Sequence, residues 1–361
     1  PNWIGVSVPG GTCTGGCPPL DNVIRGNVIS GNGRGIEADG DDTLVAGNLI
    51  GTNAAGTAAL GNTEVGVSVR NGIHVQIGGP TESDANTISG NGTGILLDGE
   101  EACVSGNRIG TDARGMRRLP NDVGVRVEGT RDSIGTCGGG PPNLISGNAV
   151  GIEMAGVNTR VVGNRIGLNA DGDAGFGGQE IGVHVLEASG PTTSLDLEGN
   201  VISGQDTGVL LDEQADSITL IKNWIGTSVD GMSSVANDVG VEVNAPGTVI
   251  GGDEPGHGNI ISGNAVGLLI KADAVIVRQN RIGLSPILSS LPNDVGLRLR
   301  GMGEGTIIGG SEAYANEIAF NRSHGIDIVM PGGVMIFGNR IRSNGGDGIR
   351  RGYADGVEGG S

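Results

Sequence analysis

The sequence repeats one short pattern, an asparagine followed two residues later by an isoleucine, from one end of the chain to the other. It recurs at twelve regularly spaced positions, and the distance between successive asparagines alternates between 21 to 23 and 36 to 38 residues. Such a repeat predicts stacked coils, because each unit buries its apolar side only against its neighbours. The twelve asparagines are Asn27, Asn48, Asn86, Asn107, Asn143, Asn164, Asn200, Asn223, Asn259, Asn280, Asn316 and Asn339.

Two further repeats follow the same spacing. Glycine precedes Val, Ile or Leu at thirteen regularly spaced positions, from Gly5-Val6 to Gly348-Ile349. A third short apolar segment, such as residues 43–45 or 160–162, recurs between these two repeats. Three short strands per coil, with alternating inward and outward side chains, predict an all-β solenoid with three short parallel sheets. Twelve coils spaced ~4.8 Å apart would form a rod of roughly 58 Å.

The repeat predicts one β-helix domain over residues 1–351, followed by a polar tail, residues 352–361. Glycine contributes 73 of the 361 residues without the every-third spacing of collagen, so we place the glycines at turns. Aromatic residues make up only 2% of the chain, as expected of a narrow core that favours Val, Ile and Leu. The first residue is Pro1 rather than Met, so we expect a processed or excised segment of a longer protein.

The net charge of -18 opposes binding to nucleic acid or to anionic membranes. No apolar run approaches the ~18 residues of a membrane span. Cys13 and Cys17 share one loop, whereas Cys103 and Cys137 are expected on neighbouring coils. Both pairings remain open, and either disulfide would indicate an oxidising, extracellular setting.

The repeated asparagines have a structural interpretation. Asparagine tolerates left-handed backbone angles, and stacked amides bond to one another along the axis of a rod. Glycine occupies the neighbouring positions of the corner. We prefer this ladder to a row of asparagines that reads a ligand, and we expect Asn164→Ala to lower stability by ~1 to 3 kcal/mol by leaving buried polar groups unpaired.

These repeats resemble the right-handed parallel β-helix proteins of the pectin-lyase-like superfamily, and within it secreted bacterial surface proteins with Asn-x-Ile-Gly-Thr and Ile-Gly-Gly blocks. The blocks here include residues 48–52, 107–111 and 223–227, with Ile-Gly-Gly at 77–79, 250–252 and 308–310. The resemblance covers nearly the whole chain and implies a right-handed parallel β-helix of about 12 coils. It implies no single activity, because this scaffold hosts lyases, hydrolases, epimerases, adhesins and structural proteins.

The outward positions of the Gly-Val strands form one row along the rod, in which Arg126, Glu153 and His184 are adjacent. At ~4.8 Å per step, these three catalytic candidates lie within reach of acid/base or lyase-like chemistry on an acidic sugar. The row contains no adjacent pair of carboxylates, so we favour charge pairing between strands on a solvated sheet.

The longer coils carry two extra loops each, and loops on one side of a solenoid often form its binding face. One loop presents Asn169, Asp171 and Asp173 at alternate positions, as a Ca²⁺ site would, but it lacks the later Glu of a full calcium loop. Asn-Asp pairs such as Asn121-Asp122 are interpreted as turns before a strand. We expect no cofactor, with Ca²⁺ in this one loop as the alternative.

A basic stripe precedes the anchor isoleucines on alternate coils. Salt pairing within the rod is the interpretation we favour, and contact with a neighbouring molecule is the alternative. The stripe contains Arg108, Arg165, Arg281 and Arg340, with Trp224 in the same register.

Neither end of the repeat carries an evident cap, so we expect either a segment of a longer surface protein or a rod that associates end to end. We predict a secreted structural β-helix protein of the extracellular space or cell surface, without enzymatic activity. Its expected partners are a second copy of itself or a cell-envelope glycan. The alternatives are a polysaccharide lyase or glycoside hydrolase that uses the outward row, and an adhesin that binds glycan through its loops.

Overall fold

The chain winds into a right-handed parallel β-helix with three sheets of 13, 12 and 12 strands. The computed structural model describes residues 2–10, 22–186, 195–215, 218–301, 303–329 and 332–352. Each coil contributes one strand to the first, second and third sheet in that order, and each strand pairs in parallel with the equivalent strand of the next coil. The predicted fold and number of coils are confirmed, including the thirteenth strand that the Gly-aliphatic repeat requires.

Each of the three sequence repeats forms one sheet. The first sheet consists of Ile4–Val8, Arg34–Ala38, Val65–Val69, Thr93–Leu97, Val123–Val127, Val150–Met154, Ile181–Val185, Thr207–Leu211, Val239–Val243, Val266–Ile270, Val295–Leu299, Ile326–Ile328 and Ile349–Arg351. The second consists of Val23–Arg25, Leu44–Ala46, Gln76–Gly78, Cys103–Ser105, Ser133–Gly135, Arg160–Val162, Leu195–Glu198, Ile218–Ile221, Val249–Ile250, Ile276–Val277, Ile307–Gly309 and Met335–Phe337. The third consists of Val28–Ile29, Leu49–Ile50, Thr87–Ile88, Arg108–Ile109, Leu144–Ile145, Arg165–Ile166, Val201–Ile202, Trp224–Ile225, Ile260–Ile261, Arg281–Ile282, Glu317–Ala319 and Arg340–Arg342.

Helical structure is confined to two short 3₁₀ helices, Glu82–Asp84 and Glu312–Tyr314, within the part of the chain that the structure describes. Both lie in loops that lead from the second sheet to the third. Across the described ranges, the structure contains no helix with the length and apolar character to cross a membrane.

The core is a narrow column between the three sheets. Eleven of the twelve anchor isoleucines are buried, and Ile341 in the last coil is partly buried. The alternation of strand side chains explains the pattern, since Val125 and Val127 are fully buried while Arg126 between them points outward. Each buried isoleucine contributes ~1.5 to 3 kcal/mol of gross hydrophobic stabilisation, so this column is a main source of the stability of the rod.

The twelve repeated asparagines form one continuous ladder. Each side-chain amide donates to the amide oxygen of the asparagine one coil further on, at 2.8 to 3.2 Å over all eleven steps. The predicted ladder is therefore confirmed. None of the twelve asparagines has a positive φ, so the role we expected for asparagine in the backbone angle was wrong. At eight of the twelve corners the residue before the asparagine is left-handed instead, such as Gly47 (φ 65°) or Lys222 (φ 57°).

A second asparagine ladder, which the sequence analysis missed, lies at the corner between the third and first sheets. Its side-chain amides bond at 2.9 to 3.2 Å in two runs, from Asn32 to Asn148 and from Asn237 to Asn344. Asn121 belongs to this ladder, so its Asn-Asp pair is more than a turn. Between the two runs stand Gln179 and Gln205, and three of their four buried amide atoms lack a hydrogen-bond partner.

A disulfide joins Cys103, in the second-sheet strand of the fourth coil, to Cys137, in the loop that follows the next strand of that sheet. The Cα atoms lie 5.9 Å apart, and the sequence separation is 34 residues. This pairing, one of the two left open above, is therefore present. Cys13 and Cys17 lie outside the described residues, as do residues 353–361 of the predicted tail.

Candidate functional site

The long loops flank the outward face of the third sheet and turn it into a trough. Four loops precede third-sheet strands: residues 79–86, 136–143, 251–259 and 310–316. They come from odd-numbered coils and form one wall. Five hairpins follow third-sheet strands of even-numbered coils and form the other wall; their antiparallel bridges are Thr52↔Ala59, Thr111↔Arg118, Leu168↔Gly175, Thr227↔Ser234 and Leu284↔Ser290.

The hairpin wall is itself a hydrogen-bonded stack. In the second, third and fourth hairpins a backbone N–H donates at 2.9 Å to the tip glycine carbonyl of the hairpin two coils before it, in the pairs Ala113 to Gly56, Ala170 to Gly115 and Val229 to Gly172. Pro286 of the fifth hairpin packs against Gly231 of the fourth. The four tip glycines have φ between 64° and 77°, so glycine suits both the backbone angle and the close approach of the next hairpin. The wall is thus ordered before any ligand binds.

The floor of the trough is the outward row of the third sheet. On even-numbered coils it carries a long side chain, and on most odd-numbered coils a short or aliphatic one. In order the row is Val28, Leu49, Thr87, Arg108, Leu144, Arg165, Val201, Trp224, Ile260, Arg281, Glu317 and Arg340. The predicted basic stripe therefore lies on this floor, between the two walls.

Two basins deepen the trough. The larger encloses about 440 Å³ and is lined by Trp224, Ile260 and Arg281 on the floor, with Lys222 and Pro286 among the side groups. The smaller encloses about 210 Å³, with Arg108, Leu144 and Arg165 on its floor. Both basins contain residues of both walls, and Val201 separates them on the floor.

The four arginines of the floor divide into two kinds. Arg108 pairs with Glu82, and Arg340 pairs with Glu312 at 3.1 Å; both glutamates belong to the 3₁₀ helices of the loop wall. Salt pairing within the rod is therefore present for these two. Arg165 and Arg281 have no carboxylate partner among the described residues.

Arg165 and Arg281 instead bond to the hairpin wall in the same way. Arg165 donates to the carbonyl of Ala170 at 3.2 Å, and Arg281 donates to the carbonyl of Pro286 at 2.8 Å. Ala170 and Pro286 are equivalent residues, since each packs on the tip glycine of the preceding hairpin. One guanidinium nitrogen is used in each case, and no other hydrogen bond of either guanidinium group is found among the described residues.

The catalytic candidates Arg126, Glu153 and His184 are adjacent in register on the first sheet. Arg126 donates to Glu153 at 2.7 Å, and Nε2 of His184 lies 3.0 Å from the carboxylate of Asp212. Each ionisable group of this row segment thus already has an internal partner. The arrangement is the cross-strand charge pairing that we favoured, although the pairs do not by themselves test for activity.

Further along the same first-sheet row, a buried carboxylate is held ionised by two arginines. Asp327 is 1% exposed and lies between Arg298, at 3.0 Å, and Arg350, at 2.8 Å. Burial opposes ionisation of this carboxylate, but the hydrogen bonds from Arg350 and Arg298 outweigh it and lower the pKa of Asp327. The row near the C-terminal coils is therefore an internal ion-pair network.

In the calcium candidate loop, the amide oxygen of Asn169 accepts backbone N–H groups from Gly172 and Asp173 at 2.8 and 3.2 Å. Its side-chain amide donates to Asp173 at 2.9 Å. Asn169 and Asp173 thus serve to close a hairpin of the trough wall, while Asp171 is exposed at its tip. The described residues contain no group of three or more His, Cys, Asp or Glu placed to hold a metal ion.

One buried carboxyl group stands apart from these pairs. Asp132 is 1% exposed, accepts the backbone N–H of Ala102 at 2.9 Å, and leaves its other oxygen without a partner. Burial raises the pKa of Asp132 to about 7, against the opposing effect of the Ala102 hydrogen bond. It lies beside the disulfide-bearing strand, away from the trough.

Sequence reasoning found the basic stripe and Trp224 but missed the glutamates that neutralise part of it. A signal was present, since Glu82 and Glu312 occur in the related segments Thr-Glu-Ser-Asp-Ala-Asn and Ser-Glu-Ala-Tyr-Ala-Asn before a ladder asparagine. Lys222 and Ile260, which line the larger basin, were also missed because they lie in ordinary corner and strand positions.

No protein-family model matches the chain, and no curated protein sequence matches it. Among solved structures, the chain is similar to the Dettilon tailspike protein, with 15% identity and a TM-score of 0.43 over 92% of this chain and 60% of the tailspike. An alginate lyase from Paenibacillus sp. str. FPU-7 has 11% identity and a TM-score of 0.43, over 87% of this chain and 99% of the lyase. PfbA, a surface adhesin of Streptococcus pneumoniae, has 12% identity and a TM-score of 0.43, over 91% of this chain and 82% of the adhesin. The chain thus spans less than two thirds of the tailspike.

Proposed function

We propose that this protein is a secreted or cell-surface β-helix protein that binds a polysaccharide along the trough over its third sheet, without chemical turnover. The observation that carries the proposal is the trough floor, where Trp224 and guanidinium groups lie between two walls on a rod of net charge -18. Sugars present apolar ring faces and many hydroxyl groups, which an aromatic side chain and arginine donors complement.

The shape of the site also supports a chain-like ligand. The trough is parallel to the rod axis, and its floor residues follow one another at ~4.8 Å intervals. Its hairpin wall is fixed by hydrogen bonds between hairpins, so a ligand need not order the wall on binding. Preorganisation of this kind reduces the entropic cost of association.

The proposal of binding without turnover is supported by how the acidic groups are used. Glu317, the one carboxylate on the trough floor, pairs with Arg342 at 2.6 Å, and Glu153 of the first sheet pairs with Arg126. Hydrolysis of a glycosidic bond needs two carboxyl groups placed across it. The lyase and hydrolase alternatives remain outcomes of the test below.

Export to the extracellular space or cell surface is supported by the disulfide between Cys103 and Cys137. Disulfides persist in oxidising compartments and are rare where thiols are kept reduced. The acidic rod also has the high net charge that keeps an elongated, repetitive protein soluble.

The test uses the two tryptophans of the chain as matched reporters. With selective excitation of tryptophan, the variant Trp3→Phe reports only on Trp224 in the trough, and Trp224→Phe reports only on Trp3, which is 64% exposed on the first coil. Titration with a panel of neutral and acidic polysaccharides is expected to shift the emission of the first variant and not that of the second. A shift in both or in neither would contradict binding in the trough.

The same incubations are assayed for reducing ends and for unsaturated products. Binding with unchanged oligosaccharides is the expected result. Release of either product, together with its loss in His184→Ala, would instead establish an enzyme that uses the first-sheet row.

We also propose that rods associate end to end, which the polarity of the asparagine ladder supports. Each ladder amide donates toward the C-terminal coil and accepts from the N-terminal side, so the two ends of a stack are complementary rather than identical. Trp3 in the first coil and Phe337 in the last are 64% and 51% exposed. Electron microscopy at rising concentration is expected to show longer rods, and single short rods at all concentrations would refute the association.

A further inference from the structure

We infer that the trough selects polysaccharides that carry carboxylate groups, and that Arg165 and Arg281 are the two positions that hold them. The inference rests on the proposed function, since it concerns the ligand of the same trough. It goes further because it assigns a ligand chemistry, a spacing and a separate role to each of the four floor arginines.

The protein's own glutamates show how a carboxylate docks on this floor. Glu82 and Glu312 have side chains that are 82% and 89% exposed, yet each lies on a floor arginine, Arg108 and Arg340 respectively. Exposed carboxylates gain little from such pairing in open solvent. Here the 3₁₀ helices of the loop wall fix them in place, so they act as built-in counter-ions at these two positions.

The equivalent counter-ion is missing at the two middle arginines. The wall loop before Arg165 contains Pro141 and Pro142 where the 3₁₀ helix would stand. The loop before Arg281 contains Asp253, but this carboxylate pairs with Arg278 on the second-sheet side. Two arginines of the same row are thus neutralised internally, and two are open to a carboxylate from outside.

The open arginines bound a defined segment of floor. Arg165, Val201, Trp224, Ile260 and Arg281 follow one another in register, so the two guanidinium groups are four steps apart, or about 19 Å. The side chains between them are apolar or aromatic. This segment fits a chain whose sugar rings lie over Trp224 and whose carboxylates reach an arginine at each end.

The hairpin beside the smaller basin adds positive charge to the approach. Arg114, Arg117 and Arg118 all lie in the segment 112–118, and none of them has a carboxylate partner among the described residues. Arg118 donates to the carbonyl of Gly147 at 2.6 Å. A local excess of arginine offsets the negative field of the rod where an anionic chain would enter.

The experiment compares two acidic probes, oligogalacturonate and oligomannuronate, with their carboxyl-reduced counterparts, which keep the sugar ring and lack the charge. Binding is measured by Trp224 fluorescence in the Trp3→Phe background and by calorimetry, at low and at moderate salt. At least one acidic probe is expected to bind about tenfold more tightly than its reduced form, and added salt is expected to remove the difference.

Arg165→Gln and Arg281→Gln are each expected to weaken the acidic probe about tenfold and to leave the reduced probe unchanged. The double variant is expected to lose about a hundredfold, because sites this far apart act independently. Glu82→Gln is expected to strengthen binding of the acidic probe, since it frees Arg108. Arg300→Gln is the control; Arg300 is exposed at the turn after Val295–Leu299, outside the third sheet.

Circular dichroism and melting temperature establish that each variant is folded. Equal affinity for acidic and reduced probes, with binding that depends on Trp224, would overturn the inference and leave the proposed function intact. Equal losses in Arg165→Gln and Arg300→Gln would also overturn the inference. No binding of any probe or of the wider panel would overturn both.

Discussion

Replacing Asn164 with alanine removes one rung from the middle of the first asparagine ladder. The Asn164 amide donates to Asn200 at 3.0 Å and to the carbonyl of Ile134 at 2.8 Å, and its oxygen accepts from Asn143 at 2.9 Å. All of these groups are shielded from water in the rod. The substitution therefore leaves one amide hydrogen of Asn143 without a partner. The Ile134 carbonyl loses one of two hydrogen bonds, since the equivalent carbonyl of Ile250 accepts both a strand N–H, from Arg278, and the Asn280 amide.

One orphaned buried group costs ~1 to 3 kcal/mol, so the structure predicts a loss of about 2 kcal/mol in the free energy of unfolding. Asn200 contributes little to this cost, because its oxygen still accepts the backbone N–H of residue 164 at 2.9 Å. Asn27→Ala is the matched control in the first coil. Asn27 is exposed and makes the same side-chain step to Asn48 at 3.2 Å, so its replacement should cost less than about 1 kcal/mol.

The assay is urea denaturation followed by circular dichroism, combined with hydrogen exchange measured by mass spectrometry. Exchange is needed because a rod stabilised by contacts between neighbouring coils can open locally. Protection is expected to fall around the anchors Ile145, Ile166 and Ile202 and to persist in distant coils. Equal destabilisation by Asn164→Ala and Asn27→Ala, or unchanged exchange near Ile166, would refute the reasoning.

Three further predictions concern other parts of the rod. Asp132→Asn should leave stability unchanged near about pH 4 and raise it by up to about 4 kcal/mol near about pH 8; denaturation at both pH values checks this. The reason is that burial raises the folded-state pKa of Asp132 to about 7, so the parent protein loses stability as the pH rises toward that value. The double variant Cys103→Ser, Cys137→Ser should lower the unfolding free energy by about 3 kcal/mol under non-reducing conditions. It removes the cross-link that closes a loop with a sequence separation of 34 in the unfolded chain. An unchanged urea midpoint would contradict this. Gly172→Ala should lower the melting temperature more than Gly177→Ala, since both glycines have positive φ but only Gly172 has the next hairpin packed against it.

The fold was predictable because its determinants repeat within short segments. The Asn-x-Ile corner and the Gly-aliphatic strands each recur with local signals, and the anchors they predict are buried. The second ladder was missed because its members occur in two different contexts, as Ser-Gly-Asn at Asn91 and as Asn-Asp at Asn121. The stacking of alternate coils brings these two contexts into one column, and neither context alone marks the position that they share.

The trough could be predicted only in part. The position of Arg165 and Arg281 on one outward row follows from the strand period. Their lack of a carboxylate partner does not, because it depends on where loops of other coils end. Arg108 has the same sequence context as Arg165, and the difference between them is a glutamate 26 residues before Arg108 in a wall loop.

The departures from the repeat cluster at one level of the rod, and this distribution bears on function. Gln179 and Gln205 interrupt the second ladder around the seventh coil and leave buried amide atoms unpaired. The loop wall has no long loop in the same coil, where the second-sheet strand ends at Glu198 and the third-sheet strand begins at Val201. Unpaired buried amides cost ~1 to 3 kcal/mol each, so this level is expected to be less stable than the coils on either side of it. This level lies between Arg165 and Trp224, so the irregular coil coincides with the proposed binding segment of the trough, and departures from local regularity are expected at functional sites.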